Sequence, residues 1–187
     1  LLISQRRYDE AIPLVEESKR VMTAAGALHA LPFVRLQEAR ATLGKGNADQ
    51  AVEILSEIFD ALIESGDTYE APETAVHLAE ALVESGREKE AEEKLDVLEL
   101  RASDDAERVT GGILRIRGLA RASQNKLDEA GELLERALNH AIEDGDLFGE
   151  ALSRAALAEL AVRGGSTQDA ASLERTNEIH GILGIVA

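Results

Sequence analysis

The sequence predicts an all-α fold, a stack of about 4.5 antiparallel helix hairpins, from three observations. First, a short pattern ending in alanine recurs at Glu10-Ala11, Gln50-Ala51, Glu90-Ala91, Glu129-Ala130 and Asp169-Ala170, with the alanines 40, 40, 39 and 40 residues apart. Second, residues that accept a left-handed backbone punctuate each unit at two fixed offsets from that alanine. Third, the apolar residues between these breaks follow helical spacing, with no strand-like alternation. At a period near 40, the 187 residues divide into four to five units, each too small to bury a core except against a neighbour. The predicted organisation is therefore one elongated domain over residues 1–187.

From the amino end, Leu1 to Arg7 fits the tail of a first helix, because Leu1 stands ten residues before its alanine where Ala41, Ala81, Ala120 and Leu160 stand in later units. A helix carrying Ala11 follows and closes at Gly26. The turn inside each later hairpin is marked five residues before the alanine by Gly46, Gly86, Asn125 and Gly165. The turn between hairpins is marked fifteen residues after it by Gly26, Gly66 and Gly145, with Ala106 breaking the series beside Asp104 and Asp105. Between Gly46 and Gly66, Val52, Leu55, Ile58, Phe59 and Leu62 form one helical face. Between Asn125 and Gly145, Leu127, Leu133, Leu134, Ala137, Leu138 and Ala141 form another. Asn47 with Gln50, Ser103 or Asp104 with Glu107, and Ser166 with Asp169 read as capping boxes at helix starts. The turn positions predict helices of roughly 15 to 18 residues. The final helix carries Ile179, Ile182, Leu183, Ile185 and Val186, an apolar edge that further chain or a second subunit would cover.

Charge and composition exclude several functions. The chain has 36 acidic and 20 basic residues and a net charge of -16, which repels a phosphate backbone and argues against direct nucleic-acid binding. Cysteine is absent, removing disulfides, thiolate nucleophiles and sulfur-rich zinc sites and fitting a cytoplasmic setting. No apolar run approaches the roughly 20 residues that cross a bilayer.

Candidate chemical sites fail one by one. His140 and His180 occupy equivalent places ten residues after their alanines, but bring no third or fourth ligand, so no metal is expected. Gly44-Lys45-Gly46-Asn47 lacks the hydroxyl residue and the preceding strand of a phosphate loop. No serine stands in a nucleophile elbow. Glu16-Glu17, Glu92-Glu93 and Asp104-Asp105 read as solvated helix faces. Asp144-Gly145-Asp146 reads as a turn and helix start rather than a calcium loop. Arg101, Arg108, Arg115, Arg117 and Arg121 are a local excess of cations, suited either to an acidic partner or to pairing with neighbouring glutamates. No cofactor and no catalytic constellation is predicted.

Small residues twelve before the alanine (Ala39, Ala79, Gly118, Ala158) face large ones three and four after it (Leu14-Val15, Ile54-Leu55, Leu133-Leu134, and less cleanly Lys94-Leu95 and Leu173-Glu174). This small-against-large arrangement over nearly the whole chain resembles the tetratricopeptide repeat. It departs from that family in having Thr42, Leu82, Arg121 and Ala161 where a tyrosine is favoured, no tryptophan, and a period about six residues longer than 34. In this it is similar to the long-helix variant of bacterial signal-responsive regulators and scaffold proteins. The resemblance implies a right-handed superhelix whose concave face, lined by first helices, holds a protein or peptide. Its lining here would be Phe33, Leu36, Arg40, Val76, Glu80, Arg115, Leu119, Leu152 and Glu159. The family's carboxylate clamp is not reproduced, because its central asparagine corresponds to Arg40, Glu80, Leu119 and Glu159. The expected function is a noncatalytic protein-protein interaction scaffold, a fragment of a larger cytoplasmic protein with no membrane contact and an end repeat suited to homodimer formation. The alternative is an effector-sensing arm, for a peptide or small metabolite, of a multidomain transcriptional or signalling regulator.

Overall fold

The computed structural model describes residues 2–67, 69–100, 109–165 and 170–185, and of 99, 100 and 170–173 the backbone alone. Nine α-helices and one 3-10 turn account for the secondary structure of the described residues, and no strand occurs among them. In chain order the helices are α1 (Tyr8–Ala24), α2 (Leu31–Gly44), α3 (Ala48–Ser65), α4 (Glu70–Glu84), α5 (Glu88–Leu100), α6 (Thr110–Ser123), α7 (Leu127–Asp144), α8 (Leu147–Arg163) and α9 (Ala170–Leu183). The 3-10 turn Leu28–Ala30 precedes α2.

A single turn geometry connects them. The residue five before each repeat alanine is left-handed throughout: Gly46 at φ 81°, Gly86 at 73°, Gly165 at 78°, Asn125 at 61° and Arg6 at 59°. The next residue donates its N–H five residues back, as Asn47 does to Thr42 (3.1 Å), Arg87 to Leu82 (2.8 Å) and Lys126 to Arg121 (2.9 Å), satisfying a carbonyl that the helix end leaves open. Asn47, Arg87 and Lys126 also stand immediately before the first residue of the next helix. The turn is thus as short as a helix reversal allows, and the two helices leave it almost in contact.

That closeness explains the alanines. Ala11, Ala51, Ala91 and Ala130 are each the fourth residue of their helix and are buried, Ala51, Ala91 and Ala130 completely. They lie in the first turn after the reversal, where a larger side chain would separate the helices. Gly118 is the matching small position on α6. A β-carbon there would come within 2.7 Å of the Leu134 side chain and 3.3 Å of the Ala130 carbonyl oxygen.

The chain forms two compact units, Leu1–Lys94 and Leu95–Ile185, with the boundary inside α5. In the first, α1 packs on α2, α2 on α3 and α3 on α4, and α2 also meets α4. Val52, Leu55, Ile58, Phe59 and Leu62, the helical face read from the sequence, are all buried there. In the second unit α6 packs on α7, α7 on α8 and α8 on α9, and α6 also meets α8. Leu134, Ala137 and Ala141 are buried in it, whereas Leu127, Leu133 and Leu138 remain half-exposed.

Three local expectations change. Residues 2–6 form a closed turn, with Arg7 N–H bonded to the Leu2 carbonyl at 2.9 Å, rather than the end of a helix. Helix lengths run from 13 residues in α5 to 18 in α3 and α7, so several are shorter than predicted. In α2 the 3-10 turn and Pro32 in its first turn delay the start. The Asn47–Gln50 capping box does not form, because the Asn47 side chain accepts no hydrogen bond. The capping boxes at Ser103, Asp104 and Ser166, and Ala106, lie outside the described residues. Among the described residues, side-chain caps form at Asp67, which accepts from Tyr69 and Glu70 N–H at 2.9 and 2.8 Å, and at Asp146, which accepts from Phe148 and Gly149 N–H at 3.1 and 3.0 Å. Asp144-Gly145-Asp146 is therefore a turn and helix start, with Gly145 left-handed at φ 69°.

Candidate functional site

The nine residues expected on the interaction surface fall in different environments. In the first unit Phe33 is 58% exposed and Arg40 and Glu80 are half-buried, but Leu36 and Val76 are only 2% and 8% exposed and belong to the core. Three residues of helix turn the chain through about 300°, so Leu36 and Val76 point about 60° away from the faces that Phe33 and Glu73 define. In the second unit Arg115 is buried, Leu119 and Leu152 are half-buried and Glu159 is exposed.

Burial itself identifies the open surface of the first unit. Helix α4 buries Ala71, Pro72, Thr74, Ala75, Val76, Leu78, Ala79, Ala81 and Leu82; of the rest, Glu73, His77, Glu80 and Glu84 follow one stripe, with Glu70 and Val83 half-buried beside it. Forty residues earlier, Phe33, Gln37, Arg40 and Gly44 follow the same line on α2, where the Tyr8 ring of α1 lies against Gly44. The two stripes differ in charge. On α4, His77 lies between carboxylates, with Nε2 3.8 Å from Glu73 Oε1 and Nδ1 3.6 Å from Glu80 Oε2. On α2, Arg40 Nη1 donates to Gln37 Oε1 at 3.3 Å, and among the described residues no carboxylate lies within ion-pair distance of the guanidinium.

Several other cations in this unit are partnered. Lys19 Nζ meets Glu38 at 2.8 Å, a hydrogen bond that raises its pKa, and Lys45 Nζ meets Asp9 at 2.8 Å. Arg35 pairs with Glu57, and Lys94 sits over the Phe59 ring at 5.3 Å. Arg7 and Arg87, at the starts of α1 and α5, fork onto Glu10 and Glu90 at 2.6 to 2.8 Å, and these hydrogen bonds lower both carboxyl pKa values. These Arg-x-x-Glu-Ala forks occupy the positions where a capping box was read at Asn47. They were visible in the sequence as a cation four residues before the alanine.

In the second unit the arginine excess is largely internal. Arg117 Nη2 donates to Asp96 Oδ1 at 2.8 Å, and Arg121 Nε lies 3.2 Å from Glu129 Oε2. Arg101 and Arg108 lie outside the described residues. A stronger cluster went unread in the sequence: Glu150, 5% exposed, accepts from Arg154 Nε at 2.9 Å and from Arg175 Nε and Nη2 at 3.1 and 3.2 Å. Arg175 holds the Glu150 carboxyl below its ordinary pKa, aided by Arg154 and opposed by burial. Its partner lies 25 residues away across a hairpin, a separation that no local pattern marks.

His140 Nδ1 lies 2.9 Å from Asp144 Oδ2, and no group of three or more metal-ligating side chains occurs among the described residues. None of the described helices is long and apolar enough to cross a membrane. Compared with family models, with curated proteins and with solved structures, the chain finds no match.

Proposed function

We propose that the chain is a tetratricopeptide-like array with a right-handed superhelical course, working as a noncatalytic protein-protein interaction scaffold in the cytoplasm. It holds a protein or peptide segment along the open stripe of its first helices. The observation that supports this most directly is the burial pattern of α4, whose unburied residues gather on one side around the line Glu73–His77–Glu80–Glu84, with Glu70 and Val83 half-buried beside it. A helix so enclosed presents one rigid row of side chains, and rigid rows of mixed polarity suit groove-type recognition of a segment. The repeat supplies a matching row on α2, so the surface extends by addition of units rather than by elaboration of loops. The lack of cysteine and the net charge of -16 support a soluble scaffold that avoids nucleic acid.

Site-directed photo-crosslinking tests the reading. A benzophenone side chain at position 80, on the stripe, should give discrete adducts in cells, and the same group at the exposed position 53 on α3 should give none. Equal adducts from both positions, or none from either, would overturn it.

A further inference from the structure

We propose that α9 is a latch on α8 that opens as a unit about Gly164-Gly165, and that the uncovered face of α8 receives a partner helix bearing an arginine and, four residues on, an aliphatic side chain. The proposal concerns the last hairpin alone and does not depend on the first-helix stripes.

The hold of α9 is narrow. Helix α4 buries nine residues along its length, whereas α8 buries Glu150, Ala151 and Ser153 and none beyond them. Of the α9 side chains described, Ile179 is completely buried and the rest are half-buried or exposed. Arg175, four residues before it on the same face, forks onto Glu150 with Nε at 3.1 Å and Nη2 at 3.2 Å. The attachment to α8 thus centres on one apolar anchor and one charge-assisted fork.

Each charge of that fork has a second partner on its own helix. Arg154 Nε donates to Glu150 Oε1 at 2.9 Å within α8, and Arg175 Nη1 donates to Glu178 Oε2 at 2.8 Å within α9. Breaking a buried ion pair is costly when it strands one member without a counter-charge. Separation of α9 strands neither, because each keeps a partner about one helical turn away. The fork between the helices can therefore break and re-form with both charges already held in place.

The turn supplies the pivot. In the other hairpin turns the residue before the left-handed position is Lys45, Ser85 or Gln124, at φ -87°, -89° and -78°. Gly164 takes the same conformation, at φ -78° and ψ 0°. A β-carbon there would meet the Leu160 and Ala161 carbonyl oxygens at 3.5 and 3.6 Å, which is ordinary contact. The closed hairpin does not require glycine at this position. With Gly165 at φ 78°, two adjacent residues of wide backbone freedom form a hinge of the kind that absorbs a swing between elements.

What α9 leaves behind defines what can replace it. The opened face offers the Glu150 carboxylate, 5% exposed when covered, and the space that Ile179 fills. A helix with arginine and an aliphatic residue at i and i+4 reproduces both contacts, whereas an acidic residue in place of the arginine is repelled.

The test uses the full chain and, as probe, a fluorescein-labelled peptide with the sequence of residues 170–185, followed by fluorescence anisotropy. In the native chain the tethered α9 competes with the probe. Arg175→Gln in the chain loosens the latch but leaves Glu150 in its seat, so the probe should bind this variant about tenfold more tightly than the native chain. A probe carrying Arg175→Gln should bind each chain about tenfold more weakly than the native probe. Gly164→Ala restricts the hinge and should weaken binding of the native probe about threefold. Amide exchange on the native chain gives a second readout. Helix α9 should exchange at one common rate, faster than α7 and with less dependence on urea, because its opening exposes little surface. Protection that rises steadily from Leu183 toward Glu174 would be end fraying and would overturn the latch. Equal binding of the native probe to the native and Arg175→Gln chains, with helicity intact by circular dichroism, would overturn it too. Equal binding of the two probes would overturn the arginine preference of the opened face.

Discussion

Gly118 has no room for a β-carbon, and the atoms in the way cannot yield. Leu134, which a β-carbon would meet at 2.7 Å, is completely buried, and the Ala130 carbonyl at 3.3 Å is fixed backbone. Replacing a mid-helix glycine by alanine normally stabilises by about 1 kcal/mol, but overpacking costs about 1–3 kcal/mol. Gly118→Ala should therefore lower stability by about 1 kcal/mol in urea unfolding, and Gly118→Ala with Leu134→Val should cost less than the two changes summed. A stability gain from Gly118→Ala would show that the α6–α7 contact is looser than described. Asn125 makes the complementary case. It is left-handed at φ 61° where three other hairpin turns have glycine. Asparagine tolerates this conformation and alanine does not, so Asn125→Ala should cost about 1 kcal/mol by thermal denaturation while Asn125→Gly should cost nothing. Both positions were legible in the sequence because a steric demand restricts residue type. Arg6 shows the limit: it adopts φ 59° in the same register, and nothing in an arginine announces it.

Between elements, the tie that matters most to α9 is electrostatic. Glu150 on α8 is buried and receives three hydrogen bonds from Arg154 and Arg175, two of them from Arg175 on α9. Glu150→Gln keeps the shape but loses the charge, and should cost about 2 kcal/mol, the range for hydrogen bonds to a charged group. The pH dependence has a definite sign. The folded carboxyl titrates below the ordinary value of 4.5, so its contribution is complete above that value and is lost as pH falls through the depressed folded pKa. Native stability should thus drop below about pH 4.5, and Glu150→Gln should flatten that drop, as urea midpoints measured across pH would reveal. An unchanged pH profile in the variant would remove the cluster from the account of stability. This tie was invisible beforehand, because the sequence exposes spacing along a helix but not the pairing of side chains 25 positions apart. Helix starts were misread for a related reason. Asn47 has the right chemistry for a cap, yet the reversal at Gly46 already closes the chain by backbone bonds, and the side chain accepts none.

At the scale of the molecule, repeat period and turn register made the helical order readable, whereas which apolar residues stay on the proposed first-helix surface was not. Leu36 and Val76 were placed on it although they are core residues, because a helix that contacts neighbours on several sides buries apolar residues all round. That same enclosure gives the fold its thermodynamic character. Contacts are made between helices close in sequence, in two compact units, so stability is a sum of local terms and need not be lost everywhere at once. Leu55 is completely buried in the first unit, and truncating it to alanine removes about 2–5 kcal/mol. If coupling is local, Leu55→Ala should accelerate amide hydrogen exchange in α2, α3 and α4, which pack around it, while α7 and α8 keep their protection. Leu134→Ala, equally buried in the second unit, should do the reverse, accelerating exchange in α6, α7 and α8 and sparing α3. Hydrogen exchange followed by mass spectrometry reads both patterns in the intact chain. Uniform acceleration from either change would mean that the units unfold as one cooperative block, in which case a partner held on the α2 and α4 stripes would stabilise the whole chain. Confined acceleration would mean that its stabilising effect stays in the unit that holds it.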